Sequence, residues 1–168
     1  VVDLQVTADL DQINALKAVA LTNNYIAEEH AEMSMFATLF FGVLDPDTGA
    51  LSYINGGHEP LFVLRDGVIT QTLNPTGPAV GMMPNMKFKV QQVELAPGDT
   101  LIGYTDGVTE ARAPDHALFT PKRLLSLLEH PVESASELME NLKSELFTYI
   151  DNAPQFDDIT ILAVHRRE

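Results

Sequence analysis

Residues 60–73 read PLFVLRDGVITQTL. Two β-rich runs, 61–65 and 68–73, flank Asp66-Gly67, and Asp-Gly between such runs is the turn chemistry of a two-residue hairpin. The pattern repeats upstream, where FATLFFGVL, beginning at Phe36, passes through the turn cluster DPDTG into ALSYIN. Successive hairpins imply antiparallel pairing, because parallel neighbours need a crossover of a dozen or more residues. The expected class is therefore α+β, with mostly antiparallel sheets and helices packed outside them.

The flanking sequence fills in the elements. Upstream, Leu10, Ile13, Leu16, Val19, Ala20 and Ile26 recur at helical spacing behind Asp9 or Asp11 as a cap. That pattern predicts one helix over 9–30, or two with a break at Asn23-Asn24. Downstream, NPTGPAVGMMPNM (74–86) is rich in Pro, Gly and Met and has no period, which marks a long surface loop. FKVQQVEL then alternates as a strand, PGD turns, and TLIGYT forms a strand ending at Asp106. Helices are expected from Pro121 to His130 and from Ser134 to Ile150. The second has Ser134 and Glu137 at capping-box spacing and Leu138, Leu142, Leu146 and Ile150 on one face. DDITILAV, from Asp157, reads as a closing strand.

Composition narrows the function. The 168 residues, 45% hydrophobic, suit a single domain with a proper core. Twenty-four acidic against ten basic residues give a net charge of -14, which repels a phosphate backbone, so nucleic acid is not an expected partner. No cysteine is present, and the five histidines form no HExxH or paired-His spacing, so a metal here would be held by oxygen. The longest strongly apolar run, Met35 to Leu44, is about half of the roughly 20 residues that cross a bilayer. The chain opens on Val1 with no signal-peptide pattern, as a piece of a longer protein would. A cytoplasmic setting is expected, either free or as the cytoplasmic part of a larger, membrane-anchored protein.

Two carboxylates stand out. Asp106 follows one expected strand and Asp157 opens another; if those strands are antiparallel neighbours, both acids fall at the same end of one sheet. Strand-Asp-Gly is also a common turn, in which Gly107 supplies unusual backbone angles and Asp106 merely hydrogen-bonds the turn. Converging carboxylates repel, however, and no Lys or Arg lies within three residues of Asp157 or of the 104–107 segment. A hard divalent cation, Mg²⁺ or Mn²⁺, is the natural counter-charge. General acid/base work by the pair would need one carboxyl kept protonated, and nothing apolar flanks both. Asp158, beside Asp157 on an extended chain, points the other way and suits turn or supporting duty, as does Gly107. His58, in NGGHEP, suits a turn or packing position better than catalysis.

The segments MFATLFFGVLDPDTGALSYINGGHEPLFVL, LNPTGPAVGM, LAPGDTLIGYTDGVTEAR and FDDITILAV, in order from about Leu21 to Val164, resemble the SpoIIE/RsbU-type bacterial branch of the metal-dependent PPM (PP2C-like) serine/threonine phosphatases. The resemblance implies a PP2C-like α-β-β-α sandwich with two Mn²⁺ or Mg²⁺ ions at one end. It implies Asp106 and Asp157 as metal ligands and a metal-activated water that hydrolyses phosphoserine or phosphothreonine without a covalent intermediate. It also implies a phosphorylated regulatory partner of the anti-anti-sigma type and a sensor or receiver domain upstream. Two earlier family motifs, of the G-G-D-F/Y-Y-D and D-V-S-G-K-G types, have no counterpart before Leu21. The chain thus reads as the C-terminal three-quarters of the domain, 1–168 forming one unit with the first strands missing. Alone it is expected to be nearly inactive and, through its exposed sheet edges, prone to form a homodimer. The alternative is a phosphatase-like module that has lost its metals and regulates by binding a partner.

Overall fold

The computed structural model describes residues 10–30, 32 and 35–167, with side chains described from Lys17 onward. The order is α1 (Leu10–Glu29), β1 (Leu39–Leu44), β2 (Ala50–Gly56), β3 (Leu61–Arg65), β4 (Val68–Leu73), β5 (Gln91–Glu94), β6 (Thr100–Tyr104), α2 (Asp106–Thr109), α3 (Pro121–Leu128), α4 (Ala135–Ile150) and β7 (Ile161–His165). Among the described residues these form two antiparallel sheets, ordered β1-β2-β5 and β4-β3-β6-β7. The α+β class expected from the hairpins is therefore what the chain adopts. The chain divides into two compact units, Val1–His58 with Pro75–Glu94, and Glu59–Asn74 with Leu95–Glu168.

In the first unit, β1 and β2 pair from Leu39↔Gly56 to Leu44↔Leu51, and β5 adds to the other side of β2. Helix α1 runs unbroken through Asn23-Asn24, where a break was one of two expectations. The reason is tertiary: fully buried Asn23 donates from its amide to the Met83 carbonyl (2.9 Å) and accepts from the Gly81 N–H (2.9 Å). Asn24 accepts from the Asn85 N–H (2.8 Å). These bonds reward the helical conformation at two residues of modest helix propensity. They also correct the picture of 74–86 as a surface loop, since it is pinned to α1 and buries Ala79 and Val80. Met82 and Met83 remain exposed. The expected cap at Asp9 lies outside the described residues, as do the side chains of Leu10, Asp11, Ile13 and Leu16.

The second unit holds the sheet that matters for chemistry. Asp66 (φ 52°) and Gly67 (φ 73°) both adopt left-handed backbone, the geometry of a type I′ turn, and join β3 to β4. β6 inserts between β3 and β7, antiparallel to both. Leu138, Leu142, Leu146 and Ile150, four apart along α4, pack with Phe62, Leu64, Ile102, Tyr104 and Phe119 into one core. The Ser134 hydroxyl accepts the Glu137 N–H (3.1 Å) as expected of the cap, while the Glu137 carboxylate accepts from the Glu133 N–H (2.7 Å). At the far end of the sheet Asp99, buried, receives Arg65 Nε (2.6 Å) and Nη2 (2.9 Å). The Arg65 hydrogen bond holds the Asp99 carboxyl below its ordinary range. Tyr104, at the end of β6, is pushed up to about 12, first by burial and then by the Glu59 charge.

Two strand expectations change. FKVQQVEL shortens to Gln91–Glu94, the stretch whose backbone reaches β2. The last strand starts at Ile161 and not at Asp157, because 158–160 is held to Thr105 by its Oγ1 as well as its backbone N–H in place of a regular ladder. No helix among the described residues is long and apolar enough to cross a membrane.

Candidate metal centre

β6 and β7 are antiparallel neighbours, with Tyr104 opposite Ile161. Beyond that pair the two chains stay together. The Thr105 N–H donates to the Thr160 carbonyl (3.0 Å), Thr105 Oγ1 donates to the Asp158 carbonyl (3.0 Å), and the Thr160 N–H donates to Thr105 Oγ1 (3.0 Å). The segment that carries Asp106 therefore lies against the segment that carries Asp157, as the strand-end argument requires. Thr105 and Thr160 are the residues that make this clasp, and sequence reasoning missed both. Their only signal was a threonine directly before Asp106 and another two residues after Asp158.

Gly107 plays a different part from the one a turn would give it. Its φ is not positive, and Asp106 begins a one-turn helix, α2, in place of a turn. What Gly107 provides is close approach: a β-carbon there would overlap the Asp158 carbonyl oxygen and lie 2.9 Å from its carbon. Asp158 thus contributes its backbone to the clasp, and its side chain is exposed.

Both candidate carboxylates are exposed and locally fixed. Asp106 Oδ1 accepts the Gly107 N–H (2.9 Å), and Asp157 Oδ1 accepts the Asp158 N–H (2.7 Å). Neither makes an ion pair among the described residues. Each therefore presents a second oxygen, the hard donor that Mg²⁺ and Mn²⁺ prefer. The donor chemistry fits a divalent cation, but the number does not complete a site, since no group of three or more His, Asp or Glu side chains among the described residues could hold a metal. His58, in the first unit, is half-buried, and its backbone N–H donates to Asn55 Oδ1 (2.9 Å).

Known proteins share this arrangement of sequence and fold. The family model described as Stage II sporulation protein E (SpoIIE) matches residues 4–167. The chain belongs to the SpoIIE family. Among relatives, Protein IcfG of Synechocystis sp. is 52% identical over 154 residues, covering 92% of this chain and 24% of that protein. Phosphoserine phosphatase RsbU of Bacillus subtilis is 28% identical over 145 residues, covering 86% of this chain and 43% of its own length. This SpoIIE-family chain thus spans less than half of either relative. Among solved structures, the SiaA-PP2C domain of Pseudomonas aeruginosa superposes with a TM-score of 0.75 at 23% identity, over 91% of this chain and 65% of that one. That likeness carries the fold, which is PP2C-like.

Proposed function

We propose that this SpoIIE-family chain is part of a metal-dependent protein serine/threonine phosphatase, with Asp106 and Asp157 as ligands to a divalent cation. The observation that carries the reading is the clasp of Thr105 and Gly107 against 158–160, which sets two carboxylates, without an ion pair among the described residues, on abutting segments of one sheet end. Carboxylates on abutting segments, with no ion pair among the described residues, have a use for a cation. Family membership and the name of RsbU, a phosphoserine phosphatase, support the reaction class.

The chain's own residues have definite tasks. The Gly107 and Asp158 N–H groups each hold one carboxylate oxygen and leave the other available to a cation. Thr105 fixes the separation of the two segments from both sides. Bound Mn²⁺ or Mg²⁺ supplies positive charge for a phosphoryl group and lowers the pKa of a water. Further carboxylates must join Asp106 and Asp157 to hold two ions. The substrate class is phosphoserine or phosphothreonine on a regulatory partner protein of the anti-anti-sigma type. The absence of a three-ligand group among the described residues favours a second reading, a metal-free module that acts by binding its partner.

Hydrolysis of a phosphoserine peptide, measured with Mn²⁺ and with chelator on the intact protein and on residues 1–168, separates the two. The enzyme reading expects Mn²⁺-dependent turnover in the intact protein and its loss in Asp106→Asn. Peptide binding without turnover in any form would favour the module.

A further inference from the structure

Beside the Asp157 segment the second unit opens a cavity of about 300 Å³ whose lining includes Arg112, His116, Asn152, Gln155 and Phe156. Phe156 immediately precedes Asp157, and Gln155 Nε2 donates to the Asp157 carbonyl (2.9 Å), so the cavity rim and the candidate metal segment share one backbone. The Arg112 guanidinium carbon sits 3.7 Å from the centroid of the Phe156 ring. Its Nε is shut off from solvent with no hydrogen-bond partner among the described residues. No ion pair engages it among those residues either.

Arg112 thus has a buried, unpartnered Nε in a chain with 24 acidic and 10 basic residues. Here the residues lining the cavity include an arginine and a histidine and no acidic side chain. The guanidinium lies over the Phe156 ring, and a planar fork is the group that recognises two oxygens of a carboxylate or phosphate at once.

We infer that this cavity is an oxyanion subsite for the phosphoprotein substrate, with Arg112 as the residue that grips the incoming group and Phe156 as the plate that positions it. The inference rests on the phosphatase reading for the identity of the ligand, not for the existence of the subsite. The ligand chemistry is a pair of oxygens on a tetrahedral phosphoryl group or on a carboxylate that flanks the phosphoserine.

The test compares the intact protein with Arg112→Gln and Arg112→Lys, each checked for an unchanged melting temperature. Three probes are used: a phosphoserine peptide with Glu beside the phosphoserine, the same peptide with Gln there, and p-nitrophenyl phosphate. Peptide binding is followed by fluorescence anisotropy in chelator, and turnover is followed with Mn²⁺. Arg112→Gln is expected to weaken binding of the Glu peptide about tenfold or more and to raise its KM similarly, with partial recovery in Arg112→Lys. A loss confined to the Glu peptide identifies the carboxylate as the occupant, and an equal loss on all three probes identifies the phosphoryl group. If Arg112→Gln lowers the melting temperature, Arg112→Lys decides, with a loss of several-fold expected. Binding and KM within twofold of the parent in the folded variants would overturn the inference. If the parent binds peptide but never hydrolyses it while Arg112→Gln still weakens binding, the subsite stands and the phosphatase reading falls. Full turnover that is indifferent to Arg112 would mean the reverse.

Discussion

Gly107→Ala puts the clasp to its sharpest test. The added methyl would collide with the Asp158 carbonyl, which is main chain and cannot rotate away. Relief requires moving 157–160, and that segment is held by three hydrogen bonds to Thr105. Overpacking of this kind costs about 1–3 kcal/mol. Against it stands the gain from replacing glycine by alanine in α2, at most about 1 kcal/mol. The net expectation is a loss of about 1–2 kcal/mol, or about 2–8 °C in melting temperature for a chain of this size. Gly98→Ala is the matched control: Gly98 has φ 87° and nothing within 4 Å of the place a β-carbon would take, so alanine there meets backbone strain alone. It should cost about 1–2 kcal/mol as well. Stability will therefore not distinguish the two variants, but function will. Thermal unfolding and Mn²⁺-dependent turnover of the intact protein are measured for both. Gly98→Ala should keep its turnover, and Gly107→Ala should lose most of it because the Asp106 and Asp157 segments are pushed apart. A Gly107→Ala protein that is as stable and as active as its parent would refute the close-approach argument.

Two other expectations follow from the second unit. Ser134→Ala removes the oxygen that accepts the Glu137 N–H at the start of α4 and should lower stability by about 1 kcal/mol in chemical denaturation, without affecting turnover. Asp99→Asn should cost about 2 kcal/mol at neutral pH, since Arg65 and the Ala96 N–H both donate to the buried carboxylate. Because the folded Asp99 carboxyl titrates below its unfolded value, of about 3.9, its contribution is complete above that pH and is lost as pH falls further. The stability gap between parent and variant should therefore shrink below about pH 4, and a constant gap down to pH 2 would contradict the assignment.

Much of this arrangement was legible in the residues. Asp66-Gly67 dictated a hairpin because few residue pairs tolerate two left-handed positions, and the sheet followed from that turn and its neighbour. Asp106 and Asp157 could be placed at one sheet end because antiparallel pairing reverses direction, a property independent of side-chain detail. The exact edge of β7 was not legible, because the apolar pattern of DDITILAV does not reveal that Thr105 would take over the hydrogen bonds of 158–160. Nor was the unbroken course of α1, since Asn23 and Asn24 look like breakers until the loop residues Gly81, Met83 and Asn85 are found bonded to them. Gly107 read as a turn residue because Asp-Gly usually is one, and only the tertiary contact with Asp158 shows that its lack of a side chain, not its φ, is what the fold uses. The stacking of Arg112 on Phe156 joins residues far apart in sequence and left no local signal at all.

The central claim is that Asp106 and Asp157 serve one cation, and Mn²⁺ affinity of the intact protein measures it directly by calorimetric titration of the parent, Asp106→Asn, Asp157→Asn and the double variant. Two ligands of the same ion should not act independently. Each single variant is predicted to bind Mn²⁺ at least tenfold more weakly, and the double variant scarcely worse than either. Undiminished Mn²⁺ binding in both single variants would contradict the account.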